Sequence, residues 1–594
     1  MKNRSEIDEK YKWDLSPLCK NSQEFYEKLD KIKQYLPKFK EFEGKLNNKS
    51  DIYNYLMLEK EFEENVGPIY LYSHLKSCEI LSDNDAQEMS EKISNILNDF
   101  SVETSFVASE FKKLPDDFLS DLIHDKKFSD YDRYFENIMK SKKHMLSKKE
   151  EKLLSGMDFL SGFSSVMEML SDVDMKFGNI HDSQGKSYEL NQSNYSKFMR
   201  SPNRKLRKQA VAKINGTFGK YINTFATNYI SEVKANCYFA KIRKFKSALD
   251  SALFDEEIDA AIYNNLIKYV SKNLPVLFEY FEVKRKLLGL DEMHVYDCSA
   301  DVGKGGEKEY TFDSAIDLIK KAVAPLGEEY VGLVEQARKQ RWIDVFPNKD
   351  KSSGAFSTGV YNSYPYVLTN FEGTLDSVFT LAHELGHSMH TYFSNKSQPM
   401  SKSEYTIFLA EIASTTNEML LLGYLLKHSK DKDEKIYLYN KLFDSVKSTI
   451  FRQTMFSEFE EKVHKLHQEG QPLTKDRLCG IYYVLNKKYF GTVNLIPEIK
   501  YEWARIPHFF RAFYVYKYAT GEICAIHFAN SLLSNDNTAA EKYLKFLSAG
   551  SSMPPNEILE TAGCDLTNSA TFDSCFDYLK SMLDEWKKLI EDKK

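Results

Sequence analysis

Glycine and proline are scarce, 25 and 15 in 594 residues, about 7% together against about 12% in an average chain. That shortage leaves little room for low-complexity segments and suits a mostly helical chain. Cysteine pairs at metal-binding or redox spacing are missing too. The eight cysteines (Cys19, Cys78, Cys237, Cys298, Cys479, Cys524, Cys564, Cys575) are scattered, with no C-x-x-C. They read as free thiols in a reducing compartment. There is no large excess of one charge. A net charge of −6 is modest for this length and gives no reason to expect nucleic acid. No apolar run reaches about 18 residues, so no membrane span is expected. The start, MKNRSEIDEKYKWDL, lacks the apolar core of a signal peptide. The expectation is a cytoplasmic protein, a monomer or weak oligomer, long enough for two or more domains.

What is present is aromatic and helical. Phe, Trp and Tyr make up 14% of the chain, enough for a thick aromatic core. Residues from about 20 to 170 repeat apolar positions at three- and four-residue steps among many Lys and Glu. Within them DIYNYLMLEKEFEENVGPIYLYSHLKS reads as helix broken at Gly67-Pro68. The charge runs read as solvated helix faces. KFGNIHDSQGKSYEL, from Lys176, predicts a hairpin turning at Asp182 to Gly185. CSADVGKGGEKEY, from Cys298, reads as a flexible surface loop. From Lys351, KSSGAFSTGVYNSYPYVLTNFEGT predicts a small sheet with an edge strand near Tyr366 to Asn370. Such an edge can pair with an extended peptide, so Tyr366 and Asn370 are candidate substrate-binding residues.

The chemistry concentrates at Leu381 to His390, LAHELGHSMH, which holds three of the thirteen histidines. His383 and His387 are i and i+4, one turn apart on one helical face, where two imidazoles can share a metal ion. Glu384 between them completes H-E-x-x-H, the zinc signature in which the glutamate is a general base. Thr374 is placed to cap this helix, with Asp376 in its first turn. Leu375, Val378, Phe379, Ala382 and Met389 give it an apolar stripe. Gly386 weakens it, which predicts that another backbone or a substrate passes close by.

A catalytic zinc takes three protein ligands and a water. The favoured third ligand is Glu411, set among apolar neighbours in IFLAEIAST, where a carboxylate is costly unless it meets a cation. His390 is the second choice. It stands about two turns along the helix from His383, too far for easy convergence, so a role behind the ligands or facing substrate is favoured for it. Glu404 and Glu418 are weaker candidates. Near the end, WARIPHFFRAFYVYKYATGE places Pro507 to open a helix before His508, with Tyr514 and Tyr518 at i and i+4. His508 and Tyr514 suit donation to a developing oxyanion, and Tyr518 is a candidate substrate-binding residue.

HELGHSMH, EIAST and ARIPHFFRAFYVYKYATG together resemble the oligoendopeptidase F group of the M3 family of zinc oligopeptidases. GAFSTGVY and FTLAHELGH look like it as well. The similarity runs over most of the chain and is weakest before about residue 115. The resemblance implies a mainly α fold, a helical clamshell of the zincin type. A small β-sheet would lie beside the active-site helix, with one zinc ion at the floor of a deep central channel. It implies hydrolysis of internal bonds in short and medium peptides, and peptide turnover in the cytoplasm. By position, His383 and His387 match its zinc-binding histidines, Glu384 its base, Glu411 its zinc-binding glutamate, and His508 and Tyr514 its transition-state donors. Phe510 and Arg511 depart from the pattern, where Tyr and a non-basic residue are usual. The expected division is an N-terminal helical domain over 1–115, a helical and hairpin region over 116–200 and a catalytic domain over 201–594. Two rivals share these features. One is a related zinc peptidase that trims residues or dipeptides from a terminus, with Arg511 available to hold it. The other is a non-catalytic peptide-binding protein, against which the intact Glu384 argues.

Overall fold

A computed structural model of the chain describes residues 2–157, 162–302, 308–534 and 536–591. Helices make up most of it, and the fold is mainly α. Two compact units form, each assembled from three stretches of chain. One comprises Met1–Lys143, Gly306–Leu425 and Ser531–Gly563; the other comprises His144–Gly305, Leu426–Asn530 and Cys564–Lys594.

The first unit is built on a helix of 31 residues, Lys49–Glu79, whose N-terminus is capped by Asn48 accepting from the N–H groups of Ser50 and Asp51. The break expected at Gly67-Pro68 does not occur, because Pro68 lies inside this helix. Proline removes one N–H, while Phe62, Val66, Ile69 and Tyr72 on either side are buried and hold the helix together. Its buried face meets Phe25, Phe39, Phe111, Phe128 and Phe135 in one aromatic core. Burial of each such ring contributes about 1.5–3 kcal/mol.

Five short strands occur among the described residues. β1 (Asn179–His181) and β2 (Ser187–Glu189), in the second unit, form the antiparallel hairpin expected from the sequence. In the first unit β3 (Ile343–Asp344), β4 (Phe356–Thr358) and β5 (Tyr366–Leu368) form a sheet in the order β3-β5-β4. β5 is parallel to β3 and antiparallel to β4. The expected edge strand at Tyr366 to Asn370 is therefore corrected: β5 is the centre of the sheet, and β3 and β4 are its edges. The apolar run Tyr-Val-Leu is buried on both faces, as an inner strand requires. Phe356-Ser357-Thr358 is half-buried throughout.

In the second unit the helices Ile222–Ile242 and Arg452–Gln468 pack around Tyr229, Phe459, Trp503 and Phe509. The loop expected from Cys298 is only partly exposed. Cys298, Ala300, Val302 and Tyr310 are buried, and residues 303–307 lie outside the described residues. All eight cysteines are free and buried. No helix among the described residues is long and apolar enough to cross a membrane.

Candidate active site

The helix Leu375–Ser397 begins as its sequence requires. Thr374 Oγ1 accepts the Ser377 N–H at 3.1 Å, Asp376 sits in the first turn, and Leu375, Val378, Phe379, Ala382 and Met389 are buried. At Gly386 a second helix, Ile407–His428, passes backbone against backbone. A Cβ on Gly386 would lie 2.6 Å from Ser414 Cα and 2.7 Å from the Ala413 carbonyl oxygen. The glycine costs roughly 1 kcal/mol of helix propensity. It allows the approach that carries Glu411 to the two histidines.

Glu411 Oε2 lies 3.5 Å from His383 Nε2 and 3.8 Å from His387 Nε2. The imidazole centroids are 4.9 Å apart and the rings nearly perpendicular. Among the described residues these three form the one group of His, Cys, Asp or Glu whose ligand atoms all lie within 4.8 Å of one another. Two nitrogens and an oxygen, each partly exposed, fit a divalent ion with an open coordination side. Phe408, Leu409, Ile412 and Ala413 are buried, yet the Glu411 carboxylate is not enclosed by them, because it projects toward the histidines.

Behind the ligands stand further groups. His383 Nδ1–H donates to Glu418 Oε1 at 2.7 Å, which turns Nε2 toward the cluster. The backbone carbonyl of Ala410 holds the His387 ring. Burial opposes a charge on His383, but the bond to Glu418 and the surrounding carboxylates hold its pKa up at about 8 in the metal-free protein. Burial and the His383 charge press His387 down to about 3. Glu384 is buried, which pushes its carboxyl up to about 7, with His383 acting against this shift and Glu411 and Glu418 adding to it. A bound dication would invert these balances. Ser357 of β4 donates its N–H to Glu384, and its hydroxyl meets Ser388 at 2.9 Å, fastening the edge strand to the helix.

The second cluster belongs to the other unit. Pro507–Phe510 forms a single 3₁₀ turn, and the helix resumes only at Tyr516. Between them Phe513 takes φ +54°, a left-handed conformation rare for an aromatic residue. Tyr514 thus precedes the helix instead of lying on it. Its ring still meets Tyr518 edge-on at 5.4 Å and lies nearly parallel to His508 at 6.3 Å. Tyr518 Oη is 3.5 Å from His508 Nε2, and the Arg511 guanidinium sits 3.9 Å over the Tyr514 ring. Burial and then Arg511 lower the pKa of His508, so the imidazole is neutral at pH 7. A neutral imidazole and two phenols make a compact set of hydrogen-bond donors.

Residues 197–578 match the model of peptidase family M3, and residues 110–177 match that of the oligopeptidase F N-terminal region. The chain belongs to peptidase family M3. It is 36% identical to Oligopeptidase PepF of Bacillus subtilis over 592 residues, 99% of this chain and 88% of that one. It is 36% identical to an oligoendopeptidase F homolog of Borreliella burgdorferi over the full length of both. The crystal structure of oligoendopeptidase-F from Enterococcus faecium superposes with a TM-score of 0.72 at 31% identity, covering 96% of this chain and 99% of that one. A protein assigned as a peptidase from Chlamydophila abortus superposes with a TM-score of 0.95 at 35% identity, covering 99% and 100%. This M3 peptidase is a metallopeptidase of the zincin type, with a His-His-Glu group that could hold a metal ion.

Several expectations change. His390 stands apart from the metal group. Its ring is fully buried, stacked on Tyr405 at 3.6 Å and tilted against Phe546 at 5.1 Å, and neither ring nitrogen has a hydrogen-bond partner. Burial holds it neutral, with a pKa near 3. In this structure it packs among aromatic rings, outside the group formed by His383, His387 and Glu411. Tyr366 is fully buried, its hydroxyl donating to the Asp14 carbonyl, and the Asn370 amide is tied to the carbonyls of Ser352 and Gly354. Tyr366 is thus enclosed in the fold, whereas Asn370 stays partly exposed with its amide nitrogen engaged by the backbone. Glu418, weighed as a weak ligand, serves behind His383. Its place two turns from Glu411 on the same helix face brings it near the site without specifying the ring that it bonds.

Proposed function

We propose that this M3 peptidase is a zinc-dependent endopeptidase that hydrolyses internal bonds of short and medium peptides in the cytoplasm. The observation that carries the reading is the convergence of His383, His387 and Glu411, with Glu384 beside them and Glu418 behind. The names of its relatives, oligoendopeptidases and oligopeptidases, support the substrate class. Eight buried free thiols suit a reducing compartment. A monomer or weak oligomer is sufficient for this activity.

His383, His387 and Glu411 would hold a zinc ion, which would supply Lewis acidity toward a carbonyl and a water. Glu384 takes the proton from the attacking water and later passes it to the leaving amine. His508 and Tyr514 donate to the oxyanion that develops on the scissile carbonyl, and Tyr518 orients His508. An extended substrate pairs with the outer edge of β4, which adjoins Glu384 through Ser357. Arg511 lies over the Tyr514 ring, an arrangement that favours ring orientation over capture of a peptide terminus.

The test is digestion of a peptide blocked at both ends, with metal content measured on the same sample. Internal cleavage by zinc-loaded protein is expected. Release of products only from unblocked peptides would replace this reading with the terminus-trimming one.

A further inference from the structure

We propose that Glu460 is a positioning residue for Tyr514, acting through the Phe513 backbone. The proposal rests on the reading of Tyr514 as an oxyanion donor.

Glu460 is buried in the helix Arg452–Gln468 and takes no part in the chemistry outlined above. Its Oε1 accepts the N–H of Phe513 at 2.7 Å. That N–H lies outside every helix and strand, so the side chain supplies the acceptor that regular structure would otherwise provide. Phe513 is also the residue at φ +54°. A left-handed conformation costs a non-glycine residue roughly 1–2 kcal/mol, so it persists only where the surroundings impose it. Here two restraints act. The Phe513 ring is seated against His464 at 4.7 Å and Tyr263 at 5.9 Å, and its N–H is held by Glu460. Tyr514 is the next residue, so the direction of its Cα–Cβ bond is set by this turn.

The anchor needs an acceptor and no charge. Burial pushes the Glu460 carboxyl up to about 8; the Phe513 N–H acts against this and Glu232 adds to it. At neutral pH the group is mostly the uncharged acid. Burying a carboxyl costs free energy unless it is hydrogen-bonded, and the protein spends that cost on one backbone N–H beside Tyr514. Removing the acceptor lets Phe513 relax toward ordinary φ values and displaces the phenol. A misplacement of about 1 Å is enough to cost on the order of 10²-fold in rate.

The test is a set of variants of the full-length, metal-loaded protein, with kcat and KM measured on an internally quenched peptide and metal content and Tm recorded for each. E460Q keeps an uncharged acceptor of the same length and is expected within about twofold of wild type. E460L keeps the bulk and loses the acceptor. Its kcat is expected to fall by about 10- to 10²-fold with KM nearly unchanged, the pattern of a lost transition-state contact. In the double variant E460L/Y514F the loss should be no greater than in Y514F alone, because Glu460 acts only through that phenol. Wild-type kcat in E460L, or losses that multiply in the double variant, would overturn the proposal while leaving Tyr514 its role. Wild-type kcat in Y514F would instead remove the oxyanion reading, and this proposal with it. If E460L is not obtained folded, E460D, one methylene short of Phe513, is expected to show the same kcat loss. Wild-type kcat there overturns the proposal equally.

Discussion

His383 donates its Nδ1–H to Glu418 at 2.7 Å, and Glu418 lies on the helix that also presents Glu411. One helix thus supplies the carboxylate facing the metal site and the carboxylate behind it, and the two cannot shift independently. Partners of this kind fix the ring tautomer and raise ligand basicity. Glu418→Ala is expected to weaken metal binding by about 10- to 100-fold without removing a ligand. Chelator competition measures this, and an unchanged affinity would mean that Glu418 is a surface carboxylate in chance contact.

Glu384→Gln is expected to retain the metal and to lose about 10²-fold or more in kcat, since it deletes a base and no ligand. Turnover and metal content measured on one preparation decide the matter. Near-normal turnover would take Glu384 out of the mechanism.

Glu411→Ala is expected to lose most of its metal on dialysis, because one of three converging ligand atoms is gone. His390→Leu should keep its metal, since His390 packs between Tyr405 and Phe546 with both nitrogens unpaired. The opposite pattern would exchange the two assignments.

Gly386→Ala places a methyl group 2.6 Å from Ser414 Cα, and neither helix backbone can yield cheaply. A stability loss of about 1–3 kcal/mol is expected from the overpacking, together with weaker metal binding as Glu411 is pushed away. An unchanged Tm would show that the helix crossing is looser than this geometry.

Glu460 should leave a mark on stability against pH. Its folded pKa is raised to about 8, while an unfolded glutamate titrates near 4.3. Between about pH 4.3 and 8 the folded state holds a proton that the unfolded state lacks, so stability falls as pH rises, by up to roughly 1.4 kcal/mol per unit. The term is fully favourable below the lower value and lost above the upper one. Glu232, Tyr229, Tyr263 and His464 surround the group and remain in either protein. Denaturant unfolding should therefore show E460Q gaining on wild type from pH 5 to pH 8. Parallel curves would mean that Glu460 is charged throughout.

How much could be read in advance followed the range of each interaction. H-E-x-x-H is a local helical pattern, and the Thr374 cap and apolar stripe specified its helix within a few turns. Glu411 stood out through its apolar neighbours Phe408, Leu409, Ile412 and Ala413, although its carboxylate projects away from them toward the histidines. Glu418 did not, since nothing local separates a glutamate that bonds a ring from one that faces water. The sheet edge was misplaced because Tyr-Val-Leu has the spacing of any short strand, and its neighbours on either side come from other parts of the chain. Pro68 was overruled by the aromatic core around it. The turn at Phe513 was invisible, as phenylalanine carries no signal for positive φ and Glu460 lies far away in sequence.

The discontinuity of the first unit has a consequence for synthesis. The helix Ala539–Leu547 packs under the metal helix, with Phe546 against His390 and the Tyr543 hydroxyl on the Ala413 carbonyl beside Gly386. On the ribosome, His383 and Glu411 emerge long before this support exists. The crossing at Gly386 gains this packing only once residues 539–547 have been made. A translation product cut short before residue 539 carries the H-E-x-x-H sequence and Glu411 without the helix that packs against both of their helices. The residues of the site are thus made well before the helix that packs beneath them.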